Sequence, residues 1–163
     1  MTLLISDANI LIDLQDGGLI TQLFQIQRRI GTPDLLFESE LRHQHEDLLQ
    51  LGLELVPLNA GSVQQIVELA ARYRKPSRMD LAALVAAKQE KCDLLTGDRS
   101  LRLAAVAEGV QVHGTLWLAQ QMTALGIIDV EELRTAHALI RTAGRRLPWS
   151  KVDEQLSGLA PKK

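Results

Sequence analysis

The sequence predicts an α/β fold in which helices cover both faces of a parallel sheet, and three observations lead there. Short apolar runs without polar alternation, such as Leu3-Leu4-Ile5, suit strands buried on both faces. These runs alternate with longer stretches of helical periodicity, the signature of βαβ units. A chain of 163 residues, 46% hydrophobic and 23% charged, can bury about 70% of its unfolded surface with no disulfide or structural metal.

Taken in order, Leu3, Leu4 and Ile5 form a first strand that ends at Ser6-Asp7. Residues 10–14 are helical until Gly17-Gly18, and residues 19–29 resume helical spacing through Leu19, Leu23, Ile26 and Ile30. Gly31-Thr32-Pro33 breaks that pattern, and Pro33 suits the first turn of a helix running to about Leu51. Residues 53–58 make a second strand with Pro57 at its end. Gly61-Ser62 opens a helix through Ala70. Pro76 interrupts, Ser77 restarts, and the Ala- and Leu-rich stretch 81–88 is strongly helical. Residues 93–96 are a third strand closed by Gly97, residues 100–108 a helix, and residues 110–113 a fourth strand. Beyond this point the pattern changes, and 115–125, 130–142 and 151–159 read as consecutive helices. The expectation is a single domain over 1–163, with an α/β core of about 1–114 and a helical extension of about 115–163.

Composition narrows the function. One cysteine excludes a disulfide scaffold and suits a reducing compartment. A net charge of -2 excludes a globally basic nucleic-acid binder, so any such contact must be local. Only 3% of the residues are aromatic, which excludes long base-stacking platforms. No run approaches about 18 apolar residues, and the first seven residues lack the basic start of a signal peptide. A cytoplasmic protein with no membrane partner is expected.

Four acids stand where a strand ends or a helix begins. Asp7 follows the first strand, and Asp98 follows the third across Gly97. In an open parallel sheet ligands bind beyond the carboxyl ends of the strands, so both acids would face one crevice. Each also has a plain structural use: Asp7 and Asp98 suit helix N-caps, and Ser77-Arg78-Met79-Asp80 has the form of a capping box. Glu40 is chosen by its helical face. With about 100° of rotation per residue, it falls roughly 45° from the centre of the stripe Leu36, Phe37, Leu41, Leu48 and Leu51, whereas Glu38 falls more than about 110° away.

If the four meet, two carboxylates about 4 Å apart repel by about 4 kcal/mol at an effective dielectric near 20. They must then take up protons or share a cation. Oxygen ligands alone select a hard ion, Mg²⁺ or Mn²⁺. The four histidines are scattered and Cys92 stands alone, so no zinc-type cluster is apparent. Arg74, Lys75 and Arg78 precede Asp80 while Arg99 and Arg102 surround Asp98, a cationic rim for a phosphate backbone. Arg145-Arg146 with Trp149 reads as a packing or partner surface.

The blocks L-L-I-S-D-A-N-I-L-I-D, P-D-L-L-F-E-S-E-L, S-R-M-D-L-A-A-L-V-A-A and D-L-L-T-G-D-R-S-L, in this order within residues 3–113, resemble those of the PIN-domain proteins. These are metal-dependent ribonucleases that include the VapC-like toxins of toxin–antitoxin pairs. The resemblance implies a three-layer α/β/α fold with a four- or five-stranded parallel sheet. It implies Asp7, Glu40, Asp80 and Asp98 as catalytic acids and ligands of Mg²⁺ or Mn²⁺, with Asn9 and Thr96 orienting the aspartates. It further implies RNA as substrate, hydrolysed at its phosphodiester bonds, a small antitoxin protein as partner, and a homodimer. The stripe Leu23, Phe24, Ile26 and Ile30 is the expected dimer face. The longer tail, V-H-G-T-L-W-L-A followed by G-I-I and E-E-L, resembles that of a less characterised PIN subgroup.

Other classes fit less well. A receiver-type module needs a lysine at a strand end opposite its acids, and none stands there. A D-x-D-x-T phosphatase is excluded because Ala8-Asn9-Ile10 follows Asp7. A PIN-like module that binds RNA or protein without cutting is the remaining alternative.

Overall fold

The computed structural model describes residues 1–159; the last four residues of the expected extension lie outside the described residues. Five strands, β1 (Leu3–Ser6), β2 (Arg29–Pro33), β3 (Glu54–Val56), β4 (Asp93–Leu95) and β5 (Val112–His113), run parallel in the order β3-β2-β1-β4-β5. In register, Leu4 pairs with Ile30 of β2, while Ile5 pairs with Leu94 of β4. Every residue of β1 is buried, which is why the run shows no alternation. The fold is α/β with helices on both faces of the sheet, a three-layer arrangement. Connections leave β1 leftward to β2 and β3, then return across it to β4 and β5. Right-handed crossovers therefore put the two sets of helices on opposite faces.

The helices are α1 (Ala8–Asp16), α2 (Ile20–Leu23), α3 (Asp34–Leu36), α4 (Arg42–His45), α5 (Leu48–Leu51), α6 (Ala60–Arg72), α7 (Arg78–Glu90) and α8 (Arg99–Ala107). After β5 come α9 (Thr115–Ala124), α10 (Val130–Thr142) and α11 (Trp149–Leu159). A π-helical turn, Phe37–Leu41, joins α3 to α4. Ser77 and Asp80 close the capping box that starts α7. Leu81 through Ala87 are all buried, so α7 is apolar on every side. It packs against β1, β2 and β4 on one side and against α6 and α8 on the other.

Two segments differ from the sequence reading. Residues 19–29 do not form one helix: α2 is a single turn, and Ile30 belongs to β2. The missed strand, R-I-G-T-P, contains Gly and Pro, both depleted in strands. Gly31 has a packing reason, since a Cβ there would lie 3.2 Å from Val56 Cγ2 and 3.3 Å from the Glu54 carbonyl. The helix expected from Pro33 to Leu51 is broken into short pieces, and α4 has no buried residue to hold it on the core. The stripe expected at a dimer face is corrected too. Leu23, Ile26 and Ile30 are buried in this chain's own core and cannot present such a face.

The segment after β5 packs on the core. Here α10 lies on α1, α9 touches α2 and β5, and α11 rests on α10. Close approach at Gly17 allows the first contact, because a Cβ there would come within 3.0 Å of Ile140. Among the described residues no helix is long and apolar enough to cross a membrane.

Candidate functional site

The sheet order makes a site before any side chain is considered. Chain direction across the sheet reverses between β1 and β4, and ligand crevices in open α/β sheets form at that switch point, beyond the carboxyl ends of the strands. Asp7 immediately follows β1, and Asp98 follows β4 across Thr96 and Gly97. The backbone joins the two strand ends, with the Asp7 N–H donating to the Leu95 carbonyl at 3.1 Å.

Asp7 is 1% exposed and caps α1, its Oδ1 accepting from the Ile10 N–H at 2.9 Å. Its Oδ2 accepts from the Thr96 hydroxyl at 2.5 Å. Burial pushes its pKa from 3.8 up to about 7, opposed by the Thr96 and Ile10 hydrogen bonds and reinforced by the charges of Asp80 and Asp13. Thr96 Oγ1 in turn accepts from the Asp98 N–H at 3.0 Å, so one hydroxyl ties the two acids together. Asp98 caps α8, its Oδ1 accepting from the Leu101 N–H at 2.8 Å and from the Ser100 hydroxyl at 2.6 Å. Asp80 spends Oδ2 on the Ser77 N–H at 3.0 Å. All three aspartates therefore cap helices, and Asp80 and Asp98 each retain an oxygen with no protein partner among the described residues.

Glu40 lies in the π-helical turn and is exposed, not inward-facing as the helical wheel placed it. A π-helical turn advances by less than 100° per residue, so the wheel loses its phase there. Partial desolvation raises the pKa of Glu40, and the charge of Asp80 adds to the rise. Glu38 is engaged elsewhere: Arg42 donates to it at 2.7 Å and holds its pKa below the ordinary value. Asp7, Asp80 and Glu40 thus form a chain in which Asp80 presses on both neighbours. Asp98 is linked to Asp7 through Thr96. Even so, among the described residues no group of three or more His, Cys, Asp or Glu side chains stands close enough to hold a metal ion directly.

The remaining expected residues divide. Asn9 does not orient an aspartate; it is exposed, and its Oδ1 accepts from Arg145 at 3.0 Å. Asp13, given no role from sequence, is 5% exposed and pairs with Arg145 at 2.5 Å. Its signal was present as an acid on the buried face of α1, beside Ile10 and Leu14. The five cations do not form one rim. Arg74 and Arg78 line a groove against α6 with Val67, Ala70 and Ala71, and Lys75 is exposed nearby. Arg99 and Arg102 line a different cleft, which they share with the C-terminal segment.

The donor set suits a hard cation chemically, being oxygen only. Mg²⁺ keeps several waters and commonly takes only one or two carboxylates, so a site for it does not require a three-residue cluster. A family model described as DUF3368, PIN domain, matches residues 3–160. No curated protein matches the chain.

Proposed function

The chain belongs to the PIN-domain family, whose general character is that of nucleases, and from that premise we propose that it is a Mg²⁺- or Mn²⁺-dependent endoribonuclease. The observation that carries the proposal is the grouping of acids at the β1/β4 switch point, where burial drives the pKa of Asp7 up to about 7, the charge of Asp80 adds to the rise, and Thr96 ties Asp7 to Asp98. Such an arrangement stores repulsion that a cation relieves.

Asp7, Asp80 and Glu40 are the proposed metal ligands, with Asp98 completing the set from the β4 side. When bound, the ion would acidify a water and neutralise charge on the scissile phosphate. Thr96 and the Ile10 N–H fix both Asp7 oxygens. Asp80 and Asp98, each with an oxygen unused by its cap, are placed to take the proton of the attacking water. RNA is the substrate, and the role we infer is that of a toxin held by a small antitoxin protein. A homodimer belongs to the same reading, through a face other than the buried Leu23, Ile26 and Ile30.

The test is cleavage of a labelled RNA by the purified chain with Mn²⁺, with EDTA, and with Asp7→Asn. Cleavage that survives EDTA or the substitution defeats the proposal. A PIN-like module that binds RNA without cutting it is the second reading, and the absence of a three-acid cluster among the described residues favours it. It predicts binding with no cleavage under any metal.

A further inference from the structure

A cleft of about 730 Å³ borders Gly97 and Arg99, the chain neighbours of Asp98, but is not lined by the acids themselves. One wall comes from the core, where Gly97 and Arg99 flank Asp98, Arg102 follows on α8, and Val112, His113 and Gly114 end the sheet. The other comes from the C-terminal segment, through Arg146, Leu147, Pro148 and Lys151 at the start of α11. Four cations line it, no Asp or Glu does, and the whole chain carries a net charge of -2. Among the described residues none of the four cations is in an ion pair, so their charge is directed to nothing within the protein.

Two further features point the same way. The start of α9 opens here, its N-cap is Gly114, and no side chain caps it. The first N–H groups of a helix lack internal partners and favour an anion. Thr115, 6% exposed and in the wall of the cleft, has a hydroxyl with no hydrogen-bond partner among the described residues. Trp117, stacked on His113 with centroids 4.0 Å apart and with the Arg28 guanidinium 5.6 Å over its ring, stands in the same wall.

We propose that this cleft is a subsite for the RNA strand, holding a backbone phosphate next to the one presented to the acids, and that the C-terminal helices exist partly to complete it. The inference rests on the nuclease reading only for the identity of the polymer. The cleft begins at Gly97 and Arg99, either side of Asp98 in the chain, and at about 730 Å³ lies within the ordinary range of ligand pockets, roughly 300–1,000 Å³. Arg146 thereby parts from Arg145, which is consumed by Asp13 and Asn9.

The experiment measures binding of a labelled single-stranded RNA to the full chain in EDTA across a salt series, for wild type and for Arg146→Ala with Lys151→Ala. Both cations are exposed and unpaired, so the variant should fold, and its melting curve checks this. The expected result is weaker binding with a log–log salt slope shallower by about 1.4, two contacts at about 0.7 each for a single strand. Asp7→Asn should bind with the wild-type slope. In a Trp149→Phe background, Trp117 is the one remaining tryptophan of two, and RNA should change its emission more than inorganic phosphate alone does. An unchanged slope in the double variant, no binding by wild type, or an equal response to free phosphate would overturn the subsite. Cleft-dependent binding without Mn²⁺-dependent cleavage would defeat the nuclease reading alone. Cleavage with unaltered affinity and KM in the double variant would defeat the subsite alone.

Discussion

Asp7→Asn removes a charge from a position 1% exposed while leaving a side chain that still caps α1. In the folded chain the Asp7 pKa is about 7, against 3.8 ordinarily. That difference of about 3 pH units corresponds to about 4 kcal/mol. The folded state holds the proton more tightly than the unfolded state does. The contribution is therefore fully present below about pH 3.8 and is lost as pH rises through about 7. Asparagine does not titrate. Without metal the variant should fall slightly below wild type near pH 4 and exceed it near pH 8. Asn reverses the Thr96 hydrogen bond at a cost of about 1 kcal/mol, leaving about 3 kcal/mol. For a chain of this length that is on the order of 6–12 °C in Tm. Thermal unfolding followed by circular dichroism in EDTA, from about pH 4 to about pH 8, reads the difference directly. Mn²⁺ at about 100 times its Kd should then stabilise wild type by about 2.7 kcal/mol and leave Asp7→Asn unmoved. A gap between the two proteins that does not change with pH would refute the buried-carboxylate argument. An equal Mn²⁺ response would remove Asp7 from the ligand set.

Three other outcomes are expected. Glu40→Gln should lower RNA cleavage by at least about 10-fold, whereas Glu38→Gln, which gives up only an exposed pair with Arg42, should cost at most about 0.5 kcal/mol of stability and leave the rate alone. Arg145→Met strands the buried carboxylate of Asp13 and should cost about 3 kcal/mol in chemical denaturation; Asp13→Asn added to it should recover most of that, and additive losses would contradict the pairing. His137 is buried against Trp149 with both ring nitrogens unpartnered among the described residues, and burial lowers its pKa despite Asp153, so its stability contribution is present above the ordinary pKa of 6.5 and lost as pH falls through the depressed value. His137→Leu should flatten that acid-side loss in melting curves, and an unaltered acid limb would show that other groups govern it.

Sequence reasoning succeeded where one physical signal dominated. The run Leu3-Leu4-Ile5 became β1, and the Ala-rich stretch after Ser77 became α7, because continuous burial leaves an unmistakable apolar pattern. It failed at β2, where Leu19, Leu23, Ile26 and Ile30 happen to be spaced like one helical face although they occupy a single turn, a loop and a strand. Burial had placed those residues, and periodicity was a coincidence of spacing. At Glu40 the wheel assumed uniform rotation, which the π-helical turn removes. The link of Arg145 to Asp13 and Asn9 spans more than a hundred residues, and no local pattern encodes a partner at that separation.

Capping and the proposed chemistry, competing explanations of Asp7, Asp80 and Asp98 at the level of sequence, are compatible at the same residues. A cap fixes the carboxylate at a helix start with one oxygen spent on a backbone N–H; the second oxygen of Asp7 takes the Thr96 hydroxyl, while those of Asp80 and Asp98 stay free, among the described residues, for whatever lies beyond. At the switch point of a parallel sheet, what lies beyond is the crevice. A helix N-terminus also carries partial positive charge, which helps a carboxylate stay ionised. Burial overrides that help at Asp7, and the opposition between the two is why a cation is the natural complement there. Fixing each acid by its cap costs the site no extra scaffolding, so the three caps supply both the start of α1, α7 and α8 and the rigidity that a metal centre needs.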